Sequence, residues 1–165
     1  MNDRRQERPV HILLVEDNEA DARFFQEILK SVSIPTVVHT VDDGRPALAF
    51  LHKLQEYAQA PTPEIIFLDV LLPVLSGPEV FAAMKTDAAL AQIPVCLLVL
   101  DGNDLSLEQI ESQGFQVERW LPKPVQAAQL TAILRTVRRP TVCASLLQER
   151  RGEAQAVRGT LSDML

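Results

Sequence analysis

The feature that most constrains this sequence is an uninterrupted apolar run, residues 65–68, that ends in a single carboxylate, Asp69. A strand with one wet face alternates apolar and polar residues, so a run without alternation indicates a strand that is buried on both faces. Pro73 and Gly77 interrupt regular structure shortly afterwards. We therefore expect Asp69 to project from the end of a rigid strand into a short loop.

Four further segments have the composition of strands. They are residues 10–15, 36–41, 93–100 and 116–121. The first is followed by two acids, Glu16 and Asp17, and the last is followed closely by Lys123. The sequence therefore predicts five strands, three of which bring charged side chains to their carboxyl ends.

Helix signals separate these strands. Asn18 is placed as an N-cap before a core-facing apolar stripe, and Ser76 with Glu79 forms a capping box. A weakly amphipathic segment near residues 105–113 and a closing helix around residues 130–137 complete the alternation. This pattern is typical of an α/β fold in which helices cover both faces of a doubly wound parallel sheet.

The composition excludes several classes of protein. With 165 residues, 47% of them apolar and 23% charged, the chain suits one globular domain. A formal charge of −6 argues against nucleic acid as the main partner. No run reaches the roughly 18 apolar residues of a membrane span, and residues 1–8 lack a signal peptide, so we expect a cytoplasmic protein without a membrane partner. Two cysteines are too few for a disulfide scaffold, and the three histidines lack metal-ligand spacing.

The acids at the strand ends are the candidate site. Doubly wound sheets bind ligands beyond the carboxyl ends of their strands, where Glu16, Asp17 and Asp69 are expected. Three carboxylates repel one another unless protons or a cation offset them, and an oxygen-only set favours Mg²⁺ over zinc. With Lys123 as a second positive charge, Asp69 can attack phosphorus and form an acyl phosphate. The alternative for each acid taken singly is that it only caps a helix.

Four spaced motifs resemble the receiver domain of two-component response regulators, the CheY-like family. They are residues 12–18, Asp43-Gly44-x-x-Ala47-Leu48, Asp69-x-x-x-Pro73-x-x-x-Gly77 and Lys123-Pro124. The resemblance covers residues 10 to about 139. It implies a flavodoxin-like (βα)5 fold with a five-stranded parallel sheet in the order 2-1-3-4-5. It also implies a signalling protein that is not an enzyme.

The resemblance assigns roles to individual residues. Asp69 would be the phosphoacceptor, and Lys123 would contact the phosphoryl oxygens. Glu16, Asp17, Asp69 and the backbone carbonyl of Leu71 would bind Mg²⁺. The peptide bond between Lys123 and the following proline is often cis in this family.

A narrower resemblance concerns the partner. Residues 52–63 and 93–95 are similar to the corresponding segments of small stand-alone regulators that partner phytochrome-type histidine kinases. This implies a sensor histidine kinase upstream and a protein target downstream. The expected organisation is a polar arm at residues 1–9, a receiver domain at 10–139 and a tail at 140–165 without an output domain.

Two positions bear on the conformational switch of the family. Val99 stands where members carry Ser or Thr, whose hydroxyl bonds the phosphoryl group, so the phosphorylated state is expected to lose a bond worth about 1.5–3 kcal/mol. Trp120 occupies the position of the family's rotating aromatic residue, and a large interface or core side chain is the other interpretation. The substitution at Val99 leaves open a pseudo-receiver, a docking or dimerisation module that is not phosphorylated.

Two further alternatives concern chemistry and assembly. A hydrolase with Asp69 as nucleophile would usually carry a second acid two residues later, where this chain has Leu71. In the tail, apolar residues from Cys143 to Met164 recur at coiled-coil spacing, which favours a helix that packs on a second subunit. Gly152 and Gly159 favour a solvated tail instead, and both interpretations stay open.

Overall fold

A computed structural model describes residues 8–100, 108, 111–112 and 119–138. These residues contain a five-stranded parallel sheet in the order β2-β1-β3-β4-β5, as the resemblance implied. The strands are β1 (Val10–Val15), β2 (Thr36–Val41), β3 (Ile65–Asp69), β4 (Val95–Leu100) and β5 (Trp120–Lys123).

The two helices for which the sequence predicted a cap, at Asn18 and at Ser76, begin directly after those residues. The described helices are α1 (Glu19–Lys30), α2 (Gly44–Leu51), α3 (Gly77–Thr86) and α4 (Ala127–Arg138), with short 3₁₀ turns at Gln55–Tyr57 and Leu90–Gln92. The Asn18 side chain accepts from the first turn of α1, and Ser76 with Glu79 forms the predicted capping box. Most of the helix predicted at 105–113, together with the tail at 140–165, lies outside the described residues.

Two apolar layers enclose the sheet. Alternate side chains of the strands pack against α1 and α4 on one face and against α2 and α3 on the other. All five residues of β3 are buried, which confirms the central position predicted for it. Cys96 is buried in the first of these layers, and burial raises the pKa of its thiol to about 12. The described residues include no helix with the length and apolarity needed to cross a bilayer.

The bounds of the last two strands differ from the prediction. Ile93 donates its N–H to Leu90 in the preceding 3₁₀ turn at 3.0 Å, and Pro94 has no N–H, so the ladder of β4 starts only at Val95. Of the fifth strand predicted at 116–121, residues 116–118 lie outside the described residues, and the described strand is Trp120–Lys123. It contains a proline, which an edge strand tolerates because one of its sides carries no ladder.

Candidate functional site

Lys123 and three carboxylates meet at the carboxyl edge of the sheet. The Nζ atom of Lys123 lies 2.7 Å from Glu16 Oε2 and 3.0 Å from Asp21 Oδ2, and it also donates to Asp69 Oδ2. The side chains of Glu16 and Asp69 are only 2% and 5% exposed. A single ammonium therefore partners two buried acids and one exposed acid.

Strand register explains why these residues meet. Val15 pairs with Leu68, so Glu16 and Asp69 each lie one residue beyond a paired position on neighbouring strands. Lys123 ends β5, which is separated from β3 by β4. Its long side chain therefore crosses the end of β4 to reach Asp69, and the predicted convergence of strand ends is present in the structure.

The acids also provide a set of metal-ligating atoms. One carboxylate oxygen from each of Glu16, Asp17 and Asp69 lies within 4.8 Å of the other two. Asp69 Oδ1, the oxygen that does not accept from Lys123, accepts from the Leu71 N–H at 2.8 Å, which fixes the carboxylate at the start of the following loop. Oxygen donors of this kind fit a hard divalent cation such as Mg²⁺ or Mn²⁺. That the Leu71 carbonyl is a further ligand stays a prediction.

The electrostatics show that negative charge exceeds positive charge at this edge. Burial raises the pKa of Glu16 to about 7, and the charge of Asp69 contributes to the rise, although the hydrogen bond from Lys123 opposes it. Burial by itself would lower the pKa of Lys123, but its hydrogen bonds to Asp69, Glu16 and Asp21 raise it above the ordinary value. The lysine therefore stays charged, while the acids still gain from a further cation.

Asp21 is a member of this site that the sequence interpretation missed. It lies in the first turn of α1, where an acid needs no partner beyond the helix, yet its carboxylate contacts Lys123. Asp21 follows Asp17 by four residues, and the N-cap residue Asn18 lies between them. We call Glu16, Asp17, Asp21, Asp69 and Lys123 the rim cluster.

The two predicted switch residues are not part of the rim cluster. Val99 is buried among the apolar side chains of the α2 and α3 layer, one residue before the carboxyl end of β4. Trp120 begins the edge strand β5 and is 49% exposed, so it is not a core side chain. The Lys123–Pro124 peptide bond is cis, as the resemblance implied.

Comparison with known proteins identifies the family. The profile of the response regulator receiver domain matches residues 12–135. The chain belongs to the response regulator receiver family. Members of this family are signalling proteins of two-component systems, and the match covers the whole rim cluster and all of the described sheet except the first two residues of β1.

Phytochrome response regulators are among the similar proteins. Response regulator Rcp1 of Synechocystis sp. is 43% identical over 96 residues, which are 58% of this chain and 65% of Rcp1, just under two thirds of that protein. The crystal structure of the phosphorylated cyanobacterial phytochrome response regulator RcpA is 37% identical with a TM-score of 0.65, covering 79% of this chain and 91% of RcpA. The Mn²⁺-bound form of Rcp1 is 34% identical with a TM-score of 0.61, covering 78% and 91%. This receiver is thus related to phytochrome response regulators, which confirms the narrower resemblance.

Proposed function

We propose that the protein is a response regulator whose receiver domain, residues 10–139, accepts a phosphoryl group on Asp69 with Mg²⁺ bound beside it. The observation that carries this proposal is the rim cluster, in which a buried Asp69 lies within reach of both a lysine ammonium and two further acids. The donor would be a phosphohistidine of a cytoplasmic sensor kinase, of the phytochrome type in view of the relationship to Rcp1 and RcpA. A downstream protein would detect the change in this receiver.

The rim residues support each part of the transfer. An oxygen of Asp69 attacks phosphorus, the bond from phosphorus to the donor nitrogen breaks, and that nitrogen keeps the electron pair. Lys123 is held by Glu16 and Asp21, so it keeps two partners while its contact with Asp69 passes to a phosphoryl oxygen. When bound by Glu16, Asp17 and Asp69, a divalent cation would neutralise charge on the incoming phosphoryl group. The Mn²⁺-bound form of Rcp1 supports such a site.

Incubation with a small phosphodonor tests this proposal. The protein is treated with acetyl phosphate and Mg²⁺, and its intact mass is measured before and after addition of hydroxylamine. We expect the mass of one phosphoryl group to be added, and to be lost again because hydroxylamine cleaves acyl phosphates. Omitting Mg²⁺ and adding a chelator should prevent the addition. An unchanged mass under all conditions would refute the proposal.

The second candidate is a pseudo-receiver that acts only by docking, and Val99 is the observation that favours it. Val99 is 4% exposed and lies in an apolar layer. Because it is a valine, it has no hydroxyl that could bond to a phosphoryl group. A protein of this class would keep its mass after phosphodonor treatment and would form a stable complex or dimer regardless of it.

Val99→Thr is expected to strengthen the response to phosphorylation. The new hydroxyl can donate a charge-assisted bond to the phosphoryl group, although burying it costs stability in the unmodified protein. The phosphoryl mimic beryllofluoride with Mg²⁺ should therefore raise the free energy of unfolding by about 1.5–3 kcal/mol more in this variant than in the wild type. Denaturant unfolding with and without the mimic measures the difference.

Val95→Thr is the matched control, because Val95 is buried in the same apolar layer but begins β4, away from the carboxyl edge. It should lose stability equally with and without beryllofluoride. Equal responses of the Val99 and Val95 variants to the mimic would show that the hydroxyl does not reach the phosphoryl group.

A further inference from the structure

Asp43 joins two segments that the rim cluster does not include. Asp43 is 7% exposed, and its two carboxylate oxygens accept three backbone hydrogen bonds. One comes from Arg45 in the first turn of α2, at 3.3 Å. The other two come from Val74 at 2.9 Å and Leu75 at 3.0 Å, in the loop that follows Asp69. One carboxylate thus caps a helix and holds a loop more than 30 residues away.

The loop that Asp43 holds, residues 70–76, leads directly away from the phosphoacceptor. At its start the Leu71 N–H donates to Asp69, and at its end the Gly77 N–H donates to the Val70 carbonyl at 3.3 Å. We call residues 70–76 the acceptor loop. The loop therefore begins and ends beside Asp69, and Asp43 holds its middle at Val74 and Leu75.

Two glycines show that the acceptor loop is tightly packed on both sides. A Cβ added at Gly77 would lie 2.3 Å from the Asp69 carbonyl oxygen, and one added at Gly44 would lie 2.4 Å from the Leu75 carbonyl oxygen. These contacts bring the N-termini of α3 and α2 against the loop. The Asp43 hydrogen bonds therefore hold a loop that also packs closely against the starts of both helices.

The charge of Asp43 suits this role. Burial would raise the pKa of its carboxyl, but the N–H groups of Val74, Leu75 and the start of α2 donate to it and bring the pKa below its ordinary value. The group is therefore ionised at neutral pH. An ionised carboxylate binds backbone N–H groups more strongly than a neutral acceptor does.

We infer that Asp43 is a positioning residue for the phosphoacceptor site: by holding the acceptor loop it sets the main chain of Leu71, and hence the metal-binding geometry, beside Asp69. The inference rests on the proposed function, in which the Leu71 carbonyl and Asp69 both bind Mg²⁺. Groups that orient metal ligands typically change metal affinity by about 10- to 100-fold when they are replaced. Loss of the Asp43 contacts is therefore expected to weaken Mg²⁺ binding by about 10-fold or more.

Two variants separate this role from simple capping of α2. Asp43→Ser keeps a side-chain oxygen that can cap α2, because serine is a good N-cap residue, but it is too short to reach the acceptor loop. Asp43→Asn keeps the size of the side chain and replaces one accepting oxygen by an NH₂ group. Both should reduce Mg²⁺ affinity, measured by isothermal titration calorimetry, and both should slow phosphorylation by acetyl phosphate.

Asp42→Asn is the control for charge, since Asp42 is the exposed neighbour of Asp43 and undergoes the same chemical change. Ala49→Gly is the control for stability, because Ala49 lies in α2 but is not among the side chains that pack in the apolar layer with Leu72 and Leu75 of the acceptor loop. Both controls should bind Mg²⁺ as the wild type does. Circular dichroism establishes that every variant is folded before titration.

The outcomes distinguish this inference from the proposed function. Weaker Mg²⁺ binding in both Asp43 variants, with normal binding in both controls, supports the inference. Wild-type affinity in Asp43→Ser overturns it and leaves the proposed function intact. Affinity that falls equally in Ala49→Gly also overturns it, since general loosening of α2 then explains the effect. A wild-type protein that neither binds Mg²⁺ nor gains a phosphoryl group refutes the proposed function and this inference together.

Discussion

Asp69→Asn is expected to abolish phosphorylation completely. The asparagine has nearly the same shape, and its amide oxygen can still accept from the Leu71 N–H, but an amide is a far weaker nucleophile than a carboxylate. Lys123 keeps Glu16 and Asp21 as partners in this variant, so the arrangement of the rim cluster is otherwise retained. Acetyl phosphate with Mg²⁺ should leave the intact mass of Asp69→Asn unchanged under conditions that modify the wild type.

Asp87→Asn is a matched control for this substitution. Asp87 lies at the end of α3 away from the rim cluster, and its variant should be phosphorylated at the wild-type rate. A hydroxylamine-labile phosphoryl group on Asp69→Asn would contradict the assignment and indicate that Asp17 or Glu16 is the acceptor instead. Peptide mapping after hydroxylamine treatment would then identify the modified residue.

The site residues that could be predicted are the acids that directly follow an apolar strand in the sequence. The apolar run of β3 and the acid at its end lie together in the sequence, and the same holds for β1 with Glu16 and Asp17. Parallel strands place their carboxyl ends at one edge, so the convergence of these acids follows from the fold class. The strand order itself came from the family resemblance, because periodicity does not reveal which strands are neighbours.

The contacts that could not be predicted depend on how far a side chain reaches. Asp21 joins the rim cluster only because Lys123 crosses the end of β4, and nothing in the spacing of the two residues indicates that. The hydrogen bonds from the acceptor loop to Asp43 are harder still to predict, since their donors are backbone N–H groups 31 and 32 residues away. Every residue except proline has such a group, so the sequence marks the acceptor but not the donors.

The carboxyl end of β5 lies two residues further along the chain than predicted. The prediction ended the strand at Leu121, and the next residue, Pro122, is of a type that argues against a strand interior. In the structure Val99 pairs with Pro122 and Leu100 with Lys123, so the strand continues to the lysine. This extension matters for function, because a lysine fixed at the end of a strand has a defined position beside Asp69.

Lys123→Met is expected to destabilise the metal-free protein strongly and to make its stability depend on Mg²⁺. The substitution leaves Glu16 and Asp69, which are 2% and 5% exposed in their side chains, without the ammonium that partners both. Removing one member of a buried ion pair typically costs about 3–5 kcal/mol, because the remaining charge is left without compensation. A divalent cation bound by Glu16, Asp17 and Asp69 supplies positive charge at the same edge, so Mg²⁺ should restore a large part of the loss.

Lys30→Met is the control that separates this effect from the loss of any lysine. Lys30 pairs with Glu27 on the surface of α1, where both side chains are more than 60% exposed, and such pairs contribute at most about 1 kcal/mol. Urea unfolding in chelator and in excess Mg²⁺ measures both variants against the wild type. Mg²⁺ should stabilise Lys123→Met by more than it stabilises Lys30→Met or the wild type, because in those two proteins the ammonium already offsets part of the acidic charge. Equal Mg²⁺ effects in all three proteins would mean that Lys123 and the cation do not share the same acids, which would contradict the electrostatic account of the rim cluster.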